Sequence, residues 1–307
     1  MNILITGSCG HIGSYFARNI NKIKGVNKTY LIDNLKTTQI NSIFNSDSKN
    51  NLKFFNEDLT NYKSFENLKK VDFIIHLASM TNAEGSFDKK KEMYSNNIKC
   101  LKNVIKYSIK NKCKIIHISS TSVYGKQVDI VDENCEEKYL KPQSPYADIK
   151  LIEEKLLKKY SKKIKYVTYR FGTIAGISTG MRFHTAVNKF CLNASLEKPI
   201  TVYKTALNQY RPYLSLKDAF KLIKFTIENN FFKNDIYNAL SENCTVNQIL
   251  NRIRLYKKKI KVEFVNTKIM NQLSYKVSQK KLNNSGIKLN SNITFDIKRT
   301  IQILRYL

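Results

Sequence analysis

The first thirteen residues constrain the fold more than any other segment. An apolar run at residues 3–5 leads directly into Gly7, Gly10 and Gly13, which have the spacing G-x-x-G-x-x-G. A buried strand that feeds such a turn and then a helix is typical of a dinucleotide site. Gly7 permits the tight turn, Gly10 lets the backbone approach a pyrophosphate, and Gly13 lets the helix pack closely on the sheet. The N–H groups that begin the helix then point at the phosphates.

An acidic residue stands where such a site contacts a ribose. Asp33 lies 20 residues past Gly13 and closes a second apolar strand, residues 29–32. A carboxylate here accepts hydrogen bonds from an adenosine ribose and repels a 2′-phosphate, so NAD is favoured over NADP. Without Asp33 the three glycines would indicate little more than a glycine-rich turn.

Length and composition exclude several classes of protein. The 307 residues suffice for one large domain or two closely joined ones. No segment approaches the roughly 18 to 20 continuous apolar residues of a membrane span, and the first residues read as a core strand rather than a signal peptide. The six cysteines and four histidines show no metal-ligand spacing. We therefore expect a cytoplasmic protein with reduced cysteines, no metal and no membrane association.

The formal net charge of +29 allows two interpretations. A polyanionic partner, such as a nucleic acid or an acidic membrane surface, would account for it. Alternatively, the lysines are dispersed among many Asn and Ile residues, as AT-rich coding produces, and form ordinary solvated surface. We favour the second interpretation and expect no specific nucleic-acid partner. The charge would still help to attract an anionic sugar nucleotide.

Strand and helix patterns alternate through the first half of the chain. The predicted strands are 2–6, 28–33, 52–56, 71–77, 113–119 and 164–170, and the predicted helices between them are 11–24, 90–112 and 145–161. This alternation predicts an α/β fold: a Rossmann-type, doubly wound parallel sheet with helices on both faces. Ligands of such sheets bind beyond the carboxyl ends of the strands.

The second half is less regular and predicts a smaller α+β lobe. Its predicted helices are 182–197, 216–229, 245–255 and a terminal helix, and its predicted strands are 200–203, 236–238 and 260–265. We expect residues 1–170 to form the dinucleotide-binding domain and residues 171–307 to form mainly the substrate lobe, with interleaved boundaries. The cleft between the two is the expected site.

Tyr146 and Lys150 carry the sharpest chemical signal. They stand four residues apart on a predicted helix and therefore share a face. A free tyrosine titrates near pH 10, and a lysine ammonium nearby favours the phenolate and lowers that pKa. Tyr146 would then take a proton from a substrate hydroxyl. A tyrosine and a lysine with this spacing are also common surface neighbours, so a second feature is needed.

Hydroxyl groups after a predicted strand supply that feature. Ser119, Ser120, Thr121 and Ser122 follow the strand at residues 114–118 and would point into the cleft. One of these hydroxyls would hydrogen-bond the same substrate oxygen as Tyr146. A Ser/Thr run after a strand also occurs as simple turn chemistry.

Taken together, six motifs resemble those of one known family. In chain order they are T-G-x-x-G-x-x-G at 6–13, Asp58-Leu59, His76-Leu77-Ala78, Asn97 with Asn103, S-S-x-x-V-Y-G at 119–125, and Y-x-x-x-K at 146–150. The chain resembles an extended short-chain dehydrogenase/reductase of the NAD-dependent nucleotide-sugar epimerase/dehydratase branch, over nearly its whole length. The resemblance implies a tightly bound NAD, with Asp58-Leu59 at the adenine and Asn97 near the nicotinamide. It also implies a homodimer that packs through helices 90–112 and 145–161.

The resemblance assigns a role to individual residues. The catalytic residues that it implies are Ser120, Tyr146 and Lys150. The cofactor-binding residues that it implies are Gly7, Gly10, His11, Ile12, Gly13, Asp33, Asn34, Asp58, Leu59, Leu77, Ala78, Asn97, Tyr146 and Lys150. The substrate-binding residues that it implies are Ser120, Thr121, Tyr146, Thr173, Asn188 and Arg211.

Segments of the second half support the nucleotide-sugar branch. Residues 211–219 resemble R-D-[FY]-[IV]-H-V-x-D-x-A, in which the arginine binds the substrate diphosphate, and residues 181–190 resemble a segment that faces the nucleotide sugar. Thr173 departs from the family pattern, because it replaces an asparagine that often touches substrate. Thr121 and Ser122 stand where 4,6-dehydratases carry Asp and Glu, which disfavours dehydratase chemistry.

These residues favour NAD-dependent oxidation at C4 of a nucleotide-diphospho-sugar, with epimerisation as the expected outcome. A net 4-dehydrogenase, for example of a GDP-heptose in surface-polysaccharide synthesis, stays open because of the departure at Thr173 and because Pro212 stands where the R-D-[FY] pattern has Asp. The hypothesis from another class is a non-catalytic NAD- or RNA-binding protein. Such binders tend to lose the tyrosine or the lysine, and both are present here.

Overall fold

The structure is a computed structural model, and it describes residues 1–44, 51–82, 85–127, 129–266 and 274–305. The strands are β1 (Asn2–Thr6), β2 (Lys28–Asp33), β3 (Leu52–Asn56), β4 (Phe73–His76), β5 (Lys114–Ser120), β6 (Ile130–Val131), β7 (Tyr166–Phe171), β8 (Thr173–Ala175), β9 (Ile200–Tyr203), β10 (Tyr210–Ser215), β11 (Ile236–Ala239), β12 (Glu242–Thr245), β13 (Val262–Val265) and β14 (Lys276–Val277). The helices are α1 (His11–Asn19), α2 (Lys90–Asn111), α3 (Pro145–Lys159), α4 (Ala186–Ser195), α5 (Leu216–Glu228), α6 (Val246–Arg254), α7 (Lys280–Asn284) and α8 (Ile293–Leu304).

A seven-stranded parallel sheet forms the centre of the molecule and confirms the predicted doubly wound fold. Its strand order is β11-β7-β5-β4-β1-β2-β3. Strand β1 pairs with β2 on one side and with β4 on the other, so Ile5 lies between Leu31 and Ile75. Strands β2 and β3 lie on one side of β1, and β4, β5, β7 and β11 lie on the other, so the strand order reverses at β1. The carboxyl end of the strand at such a reversal is where these sheets bind their ligands.

Alternate residues of the strands feed two separate cores. Ile3 and Ile5 pack on one face with α1 and α5, whereas Leu4 packs on the other face with α2 and α3. Burying apolar side chains on both faces stabilises the sheet and explains why the central strands read as continuous apolar runs.

Local signals set the start of the helix that carries Tyr146. The Ser144 hydroxyl accepts a hydrogen bond from Ala147 N (3.3 Å), and Pro145 occupies the first helical position of α3. Both are favoured helix-start features. The helix predicted at residues 11–24 is shorter in the structure. Helix α1 ends at Asn19, and a 3-10 turn over Ile20–Lys22 follows it.

The second half of the chain contributes to both parts of the molecule. Helices α4, α6 and α8 pack on β9 and β10 around a core of their own. Strand β11 and helix α5, however, join the central sheet and its first core, so the halves of the chain interleave. Strands β8, β10 and β12 form a three-stranded sheet that the sequence does not predict. Pro212 lies inside β10. Because proline has no N–H to donate and residues 210–215 do not alternate between apolar and polar, the sequence gives no strand signal there.

Candidate active site

The glycine turn after β1 has the geometry that a dinucleotide pyrophosphate requires. Gly7 has a φ of +65°, and a Cβ added there would lie 2.7 Å from Ala78 N. A Cβ on Gly13 would lie 2.2 Å from the carbonyl oxygen of Gly7. Helix α1 begins directly after Gly10, which provides no side-chain cap for its N–H groups. The turn therefore fits NAD, because those donors are left for an anion.

A segment from the second half of the chain packs directly on this turn. A Cβ on Gly180 would lie 2.2 Å from the Cys9 carbonyl oxygen, and Gly180 N donates to Ser14 Oγ (2.9 Å). His11 Nε2 lies 2.8 Å from the Gly176 carbonyl oxygen, and burial lowers the pKa of His11 to about 4. The neutral imidazole therefore donates its one proton to Gly176, which ties the cofactor turn to the second half.

Asp33 lies beside the same turn and is largely buried. Its carboxylate accepts hydrogen bonds from Cys9 N (3.0 Å), Leu35 N (3.0 Å) and Thr38 Oγ1 (2.9 Å). A carboxylate has about four lone-pair sites, so one remains for a ribose hydroxyl. The position and the charge both fit an NAD ribose.

Asn34, Asp58 and Leu59 form a second wall of this region. Asp58 Oδ2 accepts from Lys36 Nζ (2.9 Å) and Asn34 Nδ2 (3.2 Å). Burial opposes the charge of Asp58, but Lys36 and hydrogen bonds outweigh it and hold the pKa of that carboxyl well below its usual range. Asn103 Nδ2 donates to the Leu59 carbonyl oxygen (2.8 Å), so this motif asparagine holds the backbone at Leu59, and the adenine role of Asp58-Leu59 stays a prediction.

The loop after β4 is held by two motif residues. Thr6 Oγ1 accepts from Leu77 N (3.0 Å) and Ala78 N (3.1 Å). Burial lowers the pKa of His76 to about 3, and its Nδ1 lies 2.9 Å from Thr6 Oγ1, so the Thr6 proton points to that nitrogen. Further along the loop, Asn97 bonds both the N–H (2.8 Å) and the carbonyl oxygen (3.2 Å) of Met80.

Ser120, Tyr146 and Lys150 meet at the carboxyl end of β5. The Ser120 hydroxyl acts on Tyr146 by favouring its phenolate, and Ser120 Oγ lies 2.8 Å from Ser122 Oγ. Lys150 Nζ lies 5.8 Å from the centre of the Tyr146 ring and is only 5% exposed. The two sequence signals, on β5 and on α3, thus come together in one cluster.

The proton affinity of Tyr146 differs from the expectation. Burial raises the pKa of Tyr146 above its ordinary value, and Lys150 and the Ser120 hydroxyl offset only part of this effect. Lys150 favours the phenolate, as the sequence predicts, but the expected net lowering of the Tyr146 pKa is wrong. A nearby carboxylate, Glu153, adds to the raising effect.

Glu153 is a residue of this cluster that the sequence does not reveal. Its Oε2 lies 2.7 Å from Lys150 Nζ and 3.0 Å from His117 Nε2. Burial opposes its charge, but Lys150 and His117 outweigh that cost and lower the pKa of Glu153 to about 2. Two adjacent glutamates on a lysine-rich helix resemble ordinary surface charge, so only the pairing of α3 with β5 exposes this contact.

Two of the residues assigned to substrate, Thr173 and Arg211, lie in the sheet of strands β8, β10 and β12, which we call the second-half sheet. Thr173 on β8 pairs with Tyr213 on β10, and Arg211 precedes Tyr213 by two residues, opposite Cys244. Arg211 is partly buried and electrostatically coupled to Tyr275 and Tyr213.

Thr121 and Asn188 are more enclosed than the other assigned residues. Thr121 is buried, with its Oγ1 3.3 Å from both the Phe171 carbonyl oxygen and the Tyr275 hydroxyl. Asn188 is fully buried at the start of α4, where its Nδ2 donates to the Arg182 carbonyl oxygen (3.2 Å) and its Oδ1 has no partner within the described part of the chain. That unpaired oxygen is the feature of Asn188 most suited to a ligand donor.

Arg182 is a second residue that the site assignment misses. Its guanidinium is partly buried, and burial lowers its pKa, while Tyr146 and Asp33 oppose that effect. Arg182 also acts electrostatically on His11. It therefore contributes positive charge between the cofactor turn and the catalytic cluster, and the motif at residues 181–190 is the signal that could have found it.

The outer faces of α2 and α3 form a separate groove. A cavity of about 750 Å³ lies there, lined by Lys90, Tyr94, Asp148 and Ile152 among others. These are the helices expected to pack in a homodimer, which stays a prediction. No helix in the described ranges has the length and apolar character needed to cross a membrane. Within the same ranges, no group of three or more His, Cys, Asp or Glu side chains is arranged to hold a metal.

The fold is that of an extended short-chain dehydrogenase/reductase. The model of the NAD dependent epimerase/dehydratase family matches residues 3–239. The chain therefore belongs to that enzyme family, and its cofactor is NAD. This confirms the family, the fold and the cofactor that the sequence predicts.

Three known proteins illustrate the similarity. The chain is 25% identical, over 98% of its length, to an Arabidopsis thaliana trifunctional UDP-glucose 4,6-dehydratase/UDP-4-keto-6-deoxy-D-glucose 3,5-epimerase/UDP-4-keto-L-rhamnose-reductase, of which it spans only 46%. It superposes on a dTDP-glucose 4,6-dehydratase from Streptomyces venezuelae with a TM-score of 0.88 at 18% identity, covering 100% of this chain and 97% of that one. It superposes on a UDP-glucuronic acid 4-epimerase from Bacillus cereus, solved with UDP-glucuronic acid and NAD, with a TM-score of 0.86 at 22% identity, covering 100% and 99%.

Proposed function

We propose that this protein is a 4-epimerase of a nucleotide-diphospho-sugar. The observation that carries the proposal is the cluster of Ser120, Tyr146 and Lys150, in which the buried Lys150 ammonium lies 5.8 Å from the centre of the Tyr146 ring and both Lys150 and Ser120 favour the Tyr146 phenolate. This cluster lies at the same end of the sheet as the glycine turn after β1. Acid–base groups beside a dinucleotide site suit oxidation of a carbinol carbon.

Three side chains divide the proton chemistry. Tyr146 takes the proton of the C4 hydroxyl as general base, and Ser120 hydrogen-bonds the same oxygen. Lys150 supplies the positive charge that makes this proton transfer possible at moderate pH, since an ammonium stabilises a phenolate. A bound NAD would supply reversible hydride exchange at C4, and inversion would require the hydride to be returned to the opposite face of the 4-keto sugar. Tyr146 then reprotonates the oxygen of the epimer.

The cofactor residues hold NAD tightly in this proposal. The turn of Gly7, Gly10 and Gly13 receives the pyrophosphate on the N–H groups of α1, including those of His11 and Ile12. Asp33 binds the adenosine ribose, and Lys150 binds the nicotinamide ribose. The remaining assigned residues form the walls of the adenine and nicotinamide sites, and these are Asn34, Asp58, Leu59, Leu77, Ala78 and Asn97.

The nucleotide sugar occupies the cleft between the central sheet and the second-half sheet. Arg211 binds the diphosphate, because a guanidinium offers paired donors to two phosphate oxygens. Asn188 contributes its unpaired, buried Oδ1 to a donor of the nucleotide sugar. Thr173 on β8 pairs with Tyr213 on β10, the strand that also carries Arg211.

Two hydroxyl residues argue against elimination of water from the sugar. Thr121 is buried with its hydroxyl near the Phe171 carbonyl oxygen, and Ser122 is engaged with Ser120. Neither side chain titrates near neutral pH, so neither supplies the acid and base that a 4,6-dehydration needs. An epimerase, or a net 4-dehydrogenase, needs no such pair.

Product analysis tests the proposal. The purified protein is incubated with UDP-, GDP- and dTDP-hexoses, and the products are identified by NMR while the near-ultraviolet absorbance of reduced nicotinamide is followed. We expect at least one sugar to interconvert with its C4 epimer, without net reduction of NAD. Stoichiometric reduction with release of a 4-keto sugar would instead identify a dehydrogenase, and formation of a 4-keto-6-deoxy sugar would rule the proposal out.

A further inference from the structure

A buried ion pair lies directly behind the proposed base. Lys150 Nζ and His117 Nε2 both contact the same oxygen of Glu153, at 2.7 and 3.0 Å. Exposure is 5% for Lys150 and 1% for each of Glu153 and His117. Since an ionised carboxylate only accepts, His117 donates its Nε2 proton, and its Nδ1 lies 3.3 Å from Thr168 Oγ1. The chain Thr168–His117–Glu153–Lys150 therefore has a defined order of donors and acceptors.

This pair is not needed to dock α3 on the sheet. The next residue, Glu154, forms a two-pronged contact with Arg170, at 2.9 and 2.7 Å, and accepts from Ser119 Oγ (2.6 Å). That contact already anchors the helix to β5 and β7. Burying a second charged pair is costly, because desolvation offsets much of the attraction between the charges. A role in the active site would explain why the buried Lys150–Glu153 ion pair is present.

We propose that Glu153 is a positioning residue for Lys150, which it holds by a buried ion pair while offsetting part of the positive charge that Tyr146 experiences. This inference rests on the proposed function, in which Tyr146 is the base. Lys150 is four residues from Tyr146 on α3, whereas Glu153 is seven residues away. The Glu153 carboxylate therefore holds the Lys150 ammonium by direct contact. Its own charge weakens, but does not cancel, the effect of Lys150 on Tyr146.

The size of this effect follows from the contacts of Lys150. Its Nζ lies 5.8 Å from the centre of the Tyr146 ring and 2.7 Å from Glu153 Oε2, which places the carboxylate less than about 9 Å from that ring centre. At such a distance, with an effective dielectric constant of about 20, one unit charge changes an ionisation by roughly one pH unit. The other charged or titratable groups near this cluster come from several elements. They are Glu154 on α3, His117 on β5, His76 on β4, Arg170 on β7 and Arg182 after β8.

Neutralising Glu153 should leave Lys150 charged. Burial disfavours the Lys150 ammonium, but Tyr146 and Glu154 favour it, and the ordinary pKa of a lysine lies far above neutral pH. The amide oxygen of a glutamine would still accept from Lys150. The Glu153→Gln variant therefore removes a charge and keeps the hydrogen bond. Glu153→Met removes both and provides a second neutral variant if the glutamine variant does not fold.

The test is a titration of Tyr146 in the NAD-loaded protein without substrate. Tyrosinate absorbance is recorded against pH for each variant, and the curve of the same protein carrying Tyr146→Phe is subtracted. We expect the Tyr146 midpoint to fall by about one pH unit in Glu153→Gln and in Glu153→Met. Glu153→Asp keeps the charge, and its midpoint should stay near that of the wild type. The acid limb of kcat/KM should move in the same direction, which a purely structural role would not produce.

Asp148→Asn is the matched control, because it removes a carboxylate from the same helix that lines the outer groove of α2 and α3 instead. Its midpoint should not move. An unchanged midpoint in both neutral Glu153 variants, or a shift to higher pH, overturns the inference. Absence of turnover with every sugar nucleotide would contradict the proposed function alone, because the titration requires no substrate.

Discussion

The Lys150 ammonium lies beside the Tyr146 ring, 5.8 Å from its centre, and forms an ion pair with Glu153. The positive charge that favours the Tyr146 phenolate is therefore shared with a carboxylate. Burial and Glu153 together leave the pKa of Tyr146 raised. The proposed chemistry depends on the balance between the buried Lys150 and Glu153 and the partly buried Tyr146.

Replacing Tyr146 with phenylalanine should remove most turnover and leave binding intact. The ring still packs against Met93 and Ile149, whereas the phenolic oxygen that accepts the proton is lost. A general base contributes roughly 10²- to 10⁴-fold, so kcat should fall within that range. Steady-state kinetics and calorimetry with the nucleotide sugar check both parts. Near-wild-type turnover would show that Tyr146 is not the base.

The protein should bind NAD more tightly than NADP, by at least tenfold. The Asp33 carboxylate lies beside the glycine turn, held by Cys9 N and Leu35 N, and would repel a 2′-phosphate. Fluorescence titration of cofactor-free protein with both dinucleotides measures the ratio. Asp72→Asn, which alters a carboxylate bonded to Asn2 N at the opposite end of β1, should leave the ratio unchanged. Equal affinities, or a preference for NADP, would sink the ribose assignment for Asp33.

Removing Arg211 should weaken nucleotide-sugar binding by roughly 1.5–3 kcal/mol, the scale of a hydrogen bond to a charged group. NAD binding should barely change, because its pyrophosphate is assigned to the Gly7–Gly13 turn. Calorimetry on Arg211→Ala measures both affinities. Arg254→Ala is a suitable control, since it removes an arginine that bonds Asn251 on the surface of α6. Unchanged sugar-nucleotide affinity with a lowered melting temperature would assign Arg211 to a structural role.

Asp296 should make the protein less stable as the pH rises. Burial, with Asp218 nearby, raises the pKa of Asp296 from 3.8 to about 7. Between these values the folded state holds a proton that the unfolded state has lost, so the free energy of unfolding falls as the pH rises through this window. Asp296→Asn keeps a neutral group and should exceed the wild type by on the order of 2–4 kcal/mol at pH about 8.5. The two proteins should converge near pH 4.

Denaturant unfolding at both pH values checks this prediction. Thr300→Val is the control, because it removes a buried, non-ionisable hydroxyl that donates to the Asp296 carbonyl oxygen on the same helix, and it should destabilise the fold equally at both pH values. Equal stability of wild type and Asp296→Asn at the higher pH would mean that Asp296 is not a buried, strained carboxylate.

The sequence predicts those parts of the molecule whose signals are local. The strand before Gly7, the turn itself and the strand that ends at Asp33 were readable because each combines an apolar run with a residue type that its position requires. The helix of Tyr146 and Lys150 begins with a serine and a proline, both of which mark helix starts. The family motifs then connected these local signals.

Long-range pairing accounts for most of what was missed. Strand β10 contains Pro212 and becomes a strand only because β8 and β12 flank it. Glu153 reads as surface charge until α3 packs on β5 and brings His117 to its carboxylate. The pKa of Tyr146 depends on burial by the folded chain, which spacing alone does not reveal.

The central claim is that the hydride removed from C4 returns to C4. The direct test uses a nucleotide sugar that the protein turns over, carrying deuterium at C4, with the products analysed by NMR and mass spectrometry. We predict that the C4 epimer forms with its deuterium retained at C4 and that no reduced nicotinamide accumulates. Deuterium accumulating on the nicotinamide, in step with release of an unlabelled 4-keto sugar and without any epimer, would contradict the claim and identify a net dehydrogenase.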